Sequence, residues 1–256
     1  MKAALRSLVF VVIVIFCCGS LLYANPVNCA LTPSNPACAP TLAMTYKVGN
    51  GPLQNIAAGG APTYSSASWL QVFTPQTFTN PNGTYLFTGG QLASAPDPFV
   101  GFSFGVINHT NQVMTWNYDF QTPYAGGPYY RIQTVFGDVL VDSNFSGTST
   151  ASPVGASTIM NTYVNGSLVS GLGIGQGCTT VSFVCSSPDS GSIGPIVYVS
   201  PATGTLEVKG SFSVTPGGQY TLTGRSVIPV PEPGTMVLLG TGLISLAGLA
   251  RRRMSR

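Results

Sequence analysis

Charge is scarce in this chain. Charged residues make up 7% of its 256 positions, against about 25% in ordinary soluble domains. The apolar share is an ordinary 44%. The scarcity therefore describes a folded body with a Ser/Thr/Asn/Gln/Gly surface, not a chain too polar to bury a core. The overall net charge of +3 belongs to the ends. Between residues 25 and 229, four bases (Lys47, Arg131, Lys209, Arg225) face six acids (Asp97, Asp119, Asp138, Asp142, Asp189, Glu207), a net of −2. No basic footprint remains there for nucleic acid, which is excluded as a partner.

Histidine is almost missing as well. His109 is the only one, within Ile107-Asn108-His109-Thr110-Asn111, a segment that reads as an exposed hairpin turn between two strands. A catalytic base needs a partnered nucleophile, and none is identifiable from spacing. No catalytic residue, cofactor or metal is expected. Asp142-Ser143-Asn144-Phe145-Ser146-Gly147 imitates the opening of a calcium loop, but the twelfth position is Pro153 instead of glutamate, so a turn accounts for the same letters. Asp138 and Asp142 fall four apart in a strand, about 13 Å from each other. That is too far for the paired carboxylates of a glycosidase.

Cys17 and Cys18 lie in the N-terminal apolar run, leaving Cys29, Cys38, Cys178 and Cys185. Neither pair has C-x-x-C spacing, which argues against zinc. An even number of cysteines in an exported chain points to disulfides. Three connectivities are open. Local pairing, 29–38 with 178–185, is the simplest, each loop contributing about 2–3 kcal/mol.

The body also lacks any stretch with the period of a soluble helix. What it has is strands. Residues 84–89, 99–107, 112–120, 129–142, 195–200, 205–215 and 219–228 combine β-branched and aromatic residues with rough alternation, broken by Gly, Pro and Asn. Pro216-Gly217-Gly218 is a turn joining the last two, and 171–194 reads as a long loop with one short strand. The expected fold is all-β: an antiparallel β-sandwich, jelly-roll or immunoglobulin-like, followed by one C-terminal transmembrane helix. Tyr124, Tyr129 and Tyr130 surround the Gly126-Gly127-Pro128 turn. Tyrosines on a loop can stack on sugar rings, a glycan contact to weigh against plain packing. Asn82, Asn108, Asn144 and Asn165 head N-x-[ST] sequons, which carry glycans only in a eukaryotic secretory setting.

The two ends are apolar and flanked by positive charge. Lys2 and Arg6 precede a run from Leu8 to Leu22 and then Tyr23-Ala24, the three regions of a signal peptide spanning 1–24 that the secretion translocon reads. At the other end, Pro229, Pro231 and Pro233 alternate before a charge-free run from Met236 to Ala250 and then Arg251, Arg252 and Arg253. As a helix that run spans about 22 Å, short of the ~30 Å hydrocarbon core. Snorkelling of Arg251 and local thinning absorb the mismatch. The three arginines oppose crossing by about 8–10 kcal/mol together, which keeps them cytoplasmic as a transmembrane stop and puts the body outside.

The order Pro231-Glu232-Pro233, apolar span and arginine cluster resembles the PEP-CTERM sorting signal of exported bacterial proteins. The resemblance covers residues 230–256 and implies an exosortase as partner. It further implies a membrane-anchored precursor in the cell envelope and delivery to the cell surface or the extracellular matrix. For residues 25–229, the exported all-β domain, scarce carboxylates favour a non-catalytic surface or matrix protein associated with exopolysaccharide. An exported hydrolase acting on polysaccharide is the alternative. A eukaryotic lipid-anchored surface glycoprotein is a third reading, poorly suited by the terminal arginines.

Overall fold

The computed structural model describes residues 34–65, 68–95, 99–125, 130–144, 148–178, 184–185, 197–199, 203–228 and 241–242. The expected signal peptide, Cys29 and the C-terminal tail apart from Thr241 and Gly242 lie outside them. Those two tail residues are helical. Among the described residues no helix is long and apolar enough to cross a membrane.

After a single 3-10 turn, Pro36–Cys38, capped by the Asn35 side chain, the described body is built of strands. The first nine are β1 (Thr41–Val48), β2 (Gln54–Asn55), β3 (Thr63–Ser65), β4 (Ser68–Phe73), β5 (Gln76–Asn80), β6 (Gly83–Ala95), β7 (Phe99–Thr110), β8 (Met114–Ala125) and β9 (Tyr130–Asp142). The rest are β10 (Thr150–Pro153), β11 (Met160–Val164), β12 (Ser167–Leu172), β13 (Gln176–Gly177), β14 (Val184–Cys185), β15 (Val197–Val199), β16 (Thr203–Val214) and β17 (Gly218–Val227).

They form two antiparallel sheets. One runs β12-β11-β16-β8-β1-β2, with β10 beside β16 and β13 beside β10. The other runs β14-β9-β17-β7-β6-β4-β3, with β15 beside β9 and β5 beside β6. Alternation explains the packing. In β17 the even positions Tyr220, Leu222, Gly224 and Ser226 are buried while Thr221, Thr223 and Arg225 face solvent, the period of a strand with one wet face. Inward residues of both sheets meet in one core rich in aromatics. Phe102, for instance, has its ring centroid 5.1 Å from that of Tyr118 and 5.2 Å from that of Phe120, across the sandwich. Burying such rings contributes more per residue than any other contact in the fold.

The strands named from the sequence are present as β6, β7, β8, β9, β15, β16 and β17. The connections differ from expectation. The segment 107–111 is no hairpin turn: β7 continues to Thr110, and β8 belongs to the opposite sheet. Likewise the turn at Pro216 and Gly217 links β16 in one sheet to β17 in the other. The two corner-crossing units run side by side, β8 paired with β16 from Met114↔Val214 to Ala125↔Thr203 and β7 with β17 from Ile107↔Gln219 to Phe99↔Val227. The 171–194 region contributes the end of β12 and two short strands, β13 and β14, where one was expected.

Asn108 ties these two corners together from a fully buried position. Its Nδ2 donates to Gln112 O and Val214 O, both at 2.8 Å. Its Oδ1 accepts from Thr110 N at 3.0 Å and Thr110 Oγ1 at 2.7 Å, and its backbone O accepts from Gly217 N at 2.7 Å. Every donor and acceptor of the amide is used. The burial also removes Asn108 as a glycosylation position, since a glycan could not be accommodated at a side chain with no solvent contact. A second close approach is at Gly210 of β16, where an added Cβ would lie 1.7 Å from Ile159 O. The missing side chain lets that carbonyl reach Tyr118 OH, which donates to it at 3.0 Å. Burial raises the Tyr118 hydroxyl pKa well above its ordinary value.

Replacing Asn108 with alanine removes its buried bond to Val214 O and the acceptor of Thr110 N, while Gln112 O keeps Thr110 Oγ1 as a donor at 2.9 Å, at a cost of about 2 kcal/mol. Urea denaturation of N108A and the unaltered protein measures it; a difference below about 1 kcal/mol means that the corners are held by something else.

Candidate functional site

The residues singled out in the sequence do not converge. His109 is exposed on β7 opposite Thr84. Asp138 and Asp142 both point inward and are buried: Tyr220 OH donates to Asp138 Oδ2 and Ser149 Oγ to Asp142 Oδ1. Both carboxylates are thus engaged in the interior instead of facing a ligand, and among the described residues no three His, Cys, Asp or Glu side chains gather as a metal-holding group. Cys38 and Cys178 are disulfide-bonded. Cys185 ends β14. Tyr124 lies near the end of β8 and Tyr130 begins β9. Their side chains, Tyr129, the motif Pro231, Glu232 and Pro233, and Arg251, Arg252 and Arg253 all lie outside the described residues.

Sequence reasoning missed a cluster of acids on the outer face of the first sheet. Strand register sets Lys209 of β16 opposite Asp119 of β8, Glu207 opposite Gln121, and Tyr163 of β11 opposite Glu207. Lys209 Nζ donates to Glu207 Oε1 at 2.7 Å and stands 4.2 Å from the centre of the Tyr163 ring. Gln121 Nε2 donates to Asp119 Oδ1 at 3.2 Å. Burial raises the Asp119 carboxyl above its ordinary value against the opposing hydrogen bond from Gln121, and Glu207 pushes in the same upward direction by charge and by a side-chain hydrogen bond.

A cleft among the described residues lies elsewhere, at one end of the sandwich. It encloses about 710 Å³ between three turns: Gly49 to Pro52 after β1, Asn80 and Asn82 between β5 and β6, and Gln112 with Val113 at the β7–β8 corner. Backbone hydrogen bonds lock the turns to one another, Gly49 N to Val113 O at 2.8 Å and Asn111 N to Asn82 O at 2.9 Å. Gly49 has φ +52 and no room for a Cβ, which would fall 2.0 Å from Gln112 Oε1. At the base, Tyr85 OH donates to Tyr46 OH at 3.2 Å, and Tyr46 OH donates to Gln54 Oε1 at 3.2 Å. Burial, helped by the Tyr85 hydrogen bond, raises the Tyr46 pKa and keeps its hydroxyl neutral. Trp116 and Phe78 pack on Tyr46 at 5.2 and 4.9 Å between ring centres. Among the described residues no Asp, Glu, His, Lys or Arg lines the cleft.

This is an uncharged, pre-formed cleft on a sandwich placed between two apolar, positively flanked ends, the build of an exported domain with a sorting address. The address is a PEP-CTERM protein-sorting motif, matched over residues 229–253, and it supports an exported protein sorted by an exosortase. No curated protein matches the chain. Solved structures show only faint likeness. The adhesin domain of Epf from Streptococcus pyogenes has 11% identity and a TM-score of 0.21, over 75% of this chain and 54% of that one. An isomalto-dextranase from Arthrobacter globiformis, complexed with panose, has 8% identity and a TM-score of 0.20, over 61% and 35%. An α-xylosidase from Xanthomonas citri has 7% identity and a TM-score of 0.22, over 73% and 28%. This chain thus spans about half or less of each of those chains, and likenesses this slight bear on neither fold nor activity.

The acid cluster makes a pH prediction. A carboxyl whose folded pKa is raised destabilises the fold at neutral pH, and the penalty is relieved as pH falls through that folded pKa. Asp119→Asn therefore raises the urea midpoint at pH 7, and its advantage over the unaltered protein shrinks on acidification. An advantage that stays constant with pH assigns the effect to something other than the Asp119 charge.

Proposed function

We propose that the chain is a non-catalytic cell-surface or extracellular-matrix protein that associates with exopolysaccharide after sorting. Residues 1–24 direct it through the secretion translocon, 25–229 are the delivered domain, and 230–256 form the sorting signal. The observation that carries the reading is the sorting motif at 229–253, starting two residues after β17 ends at Val227. In this reading Pro231, Glu232 and Pro233 are what the exosortase grips, on a stretch that proline keeps extended. The apolar run holds the precursor in the envelope membrane, and Arg251, Arg252 and Arg253 stop it. Among the described residues no carboxylate, histidine or lysine lines the cleft, and its buried Tyr46 hydroxyl is held neutral, which supports a binding role over an exported hydrolase.

In an exosortase-bearing host the precursor is expected in the membrane with its body outside, and the surface protein without its tail. Changing Pro231, Glu232 and Pro233 to alanine leaves the anchor and blocks processing, so full-length protein accumulates in the membrane. Mass spectrometry of surface protein decides: a C-terminus still at Arg256 would reduce the segment to a plain membrane anchor.

The proposed disulfides are Cys29–Cys38 and Cys178–Cys185, supported by the bonded state of Cys38 and Cys178. Digestion without reductant is expected to release two separate linked peptides, one for each pair. A peptide cross-linking the N-terminal arm to the 178–185 region refutes this pairing.

A further inference from the structure

The chemistry of the cleft names its ligand more closely than the sorting signal can. Its wall carries the side-chain amides of Asn50, Gln54, Asn80, Asn82 and Gln112. Each amide offers both a donor and an acceptor. Some of that capacity is spent inside the wall: Asn82 N donates to Asn80 Oδ1 at 2.9 Å and Gln112 Nε2 to Asn82 Oδ1 at 3.4 Å. The amide nitrogens of Gln54, Asn80 and Asn82 are left to turn toward the cleft. The Tyr85 hydroxyl, which donates to Tyr46, keeps its oxygen lone pairs for a donor from outside.

We infer that this cleft binds a short segment of a neutral, hydroxyl-rich glycan chain. The inference rests on the reading of the protein as polysaccharide-associated and gives that reading a place on the molecule. A phosphate, sulfate or uronate ligand is best met by a cation and a metal ion by carboxylates, and among the described residues neither lines the wall. Sugar hydroxyls both donate and accept, which is what a row of amides and tyrosine hydroxyls reciprocates. Val48, Pro52 and Val113 add apolar surface for the C–H face of a ring. The volume of about 710 Å³ falls in the range of small-molecule sites, about 300–1,000 Å³. The backbone bonds between the three turns mean that little ordering has to accompany binding.

The test uses the mature protein recovered from exporting cells, titrated with cellohexaose, maltohexaose and an oligogalacturonate and followed by calorimetry and by tryptophan fluorescence, since Trp116 packs on Tyr46 below the cleft. At least one neutral hexasaccharide is expected to bind, with an affinity unchanged between about 50 and about 500 mM NaCl. The double variant Gln54→Ala/Asn80→Ala is expected to weaken it about tenfold or more. Val113→Trp, which fills the mouth from an exposed position and removes no hydrogen bond, is expected to abolish it. Thr221→Ala, at an exposed position of β17 that does not line the cleft, leaves it unchanged. Failure of both neutral sugars to bind, preference for the oligogalacturonate or for a neutral Ser-Gly peptide, or binding that survives V113W overturns the inference. Co-sedimentation with the host's own matrix separates the two readings. Matrix association that persists in V113W leaves the functional proposal standing and removes the cleft from it. Hexasaccharide binding without matrix association does the reverse.

Discussion

The buried amide of Asn108 is the constraint on which the arrangement depends. Two crossings between sheets meet at one end of the sandwich, and each presents a carbonyl to the same buried side chain. A single side chain with two donors and two acceptors closes both accounts of hydrogen bonding at once, reaching Gln112 O in one corner and Val214 O in the other. Because an unmade hydrogen bond in that interior costs more than a made one contributes, the two corners have one relative placement. Gln112 and Val113, carried on the first corner, become a fixed cleft wall, and the turns after β1 and β5 are hydrogen-bonded to that wall in turn. The site is thus rigid because the fold's connectivity makes it so.

The local alternation of strands was legible in the sequence and their partners were not. β7, β9 and β17 could be named because every second residue is apolar or β-branched. Nothing in Ile107-Asn108-His109-Thr110-Asn111 says that the chain changes sheets there, because a polar run with two asparagines is also what a hairpin turn looks like. Asn108 itself read as a surface sequon. Only its long-range partner Val214 distinguishes a buried keystone from an exposed acceptor. The acid pair was hidden for the same reason: Asp119 and Glu207 are far apart in the chain and become neighbours only through the β8–β16 register. The cleft residues sit in three separate turns, each unremarkable alone. The C-terminal sorting motif could be read because its signal is local, a proline-flanked tripeptide, an apolar run and an arginine cluster with no long-range partner.

The two outer faces of the sandwich differ in a way that follows from side-chain type. The first sheet presents Asp119, Gln121, Glu207, Lys209 and Tyr163, long groups that bond one another and cover the strands. On the second, Val135 and Val139 of β9 and Leu70 and Val72 of β4 are exposed, and Arg225 lies 5.3 Å from the Phe99 ring. So few charges on a folded surface leave solubility to hydroxyls and amides, which bind water without repelling a neighbouring molecule of the same kind. A protein delivered among others like itself can therefore crowd at a surface at little electrostatic cost.

β17 also sets a polarity. It starts at Gly218, beside the corner that holds the cleft wall, and ends at Val227, ten residues on, which at strand rise is about 30 Å away. β1 enters the fold from that same far end, at Thr41, and runs to Val48 at the cleft. The first residue of β1 and the last of β17 thus both lie at the pole opposite the cleft. In the precursor proposed above, the cleft therefore opens about a strand length from the place where the described body ends at β17, and removal of the tail leaves the cleft's own geometry untouched.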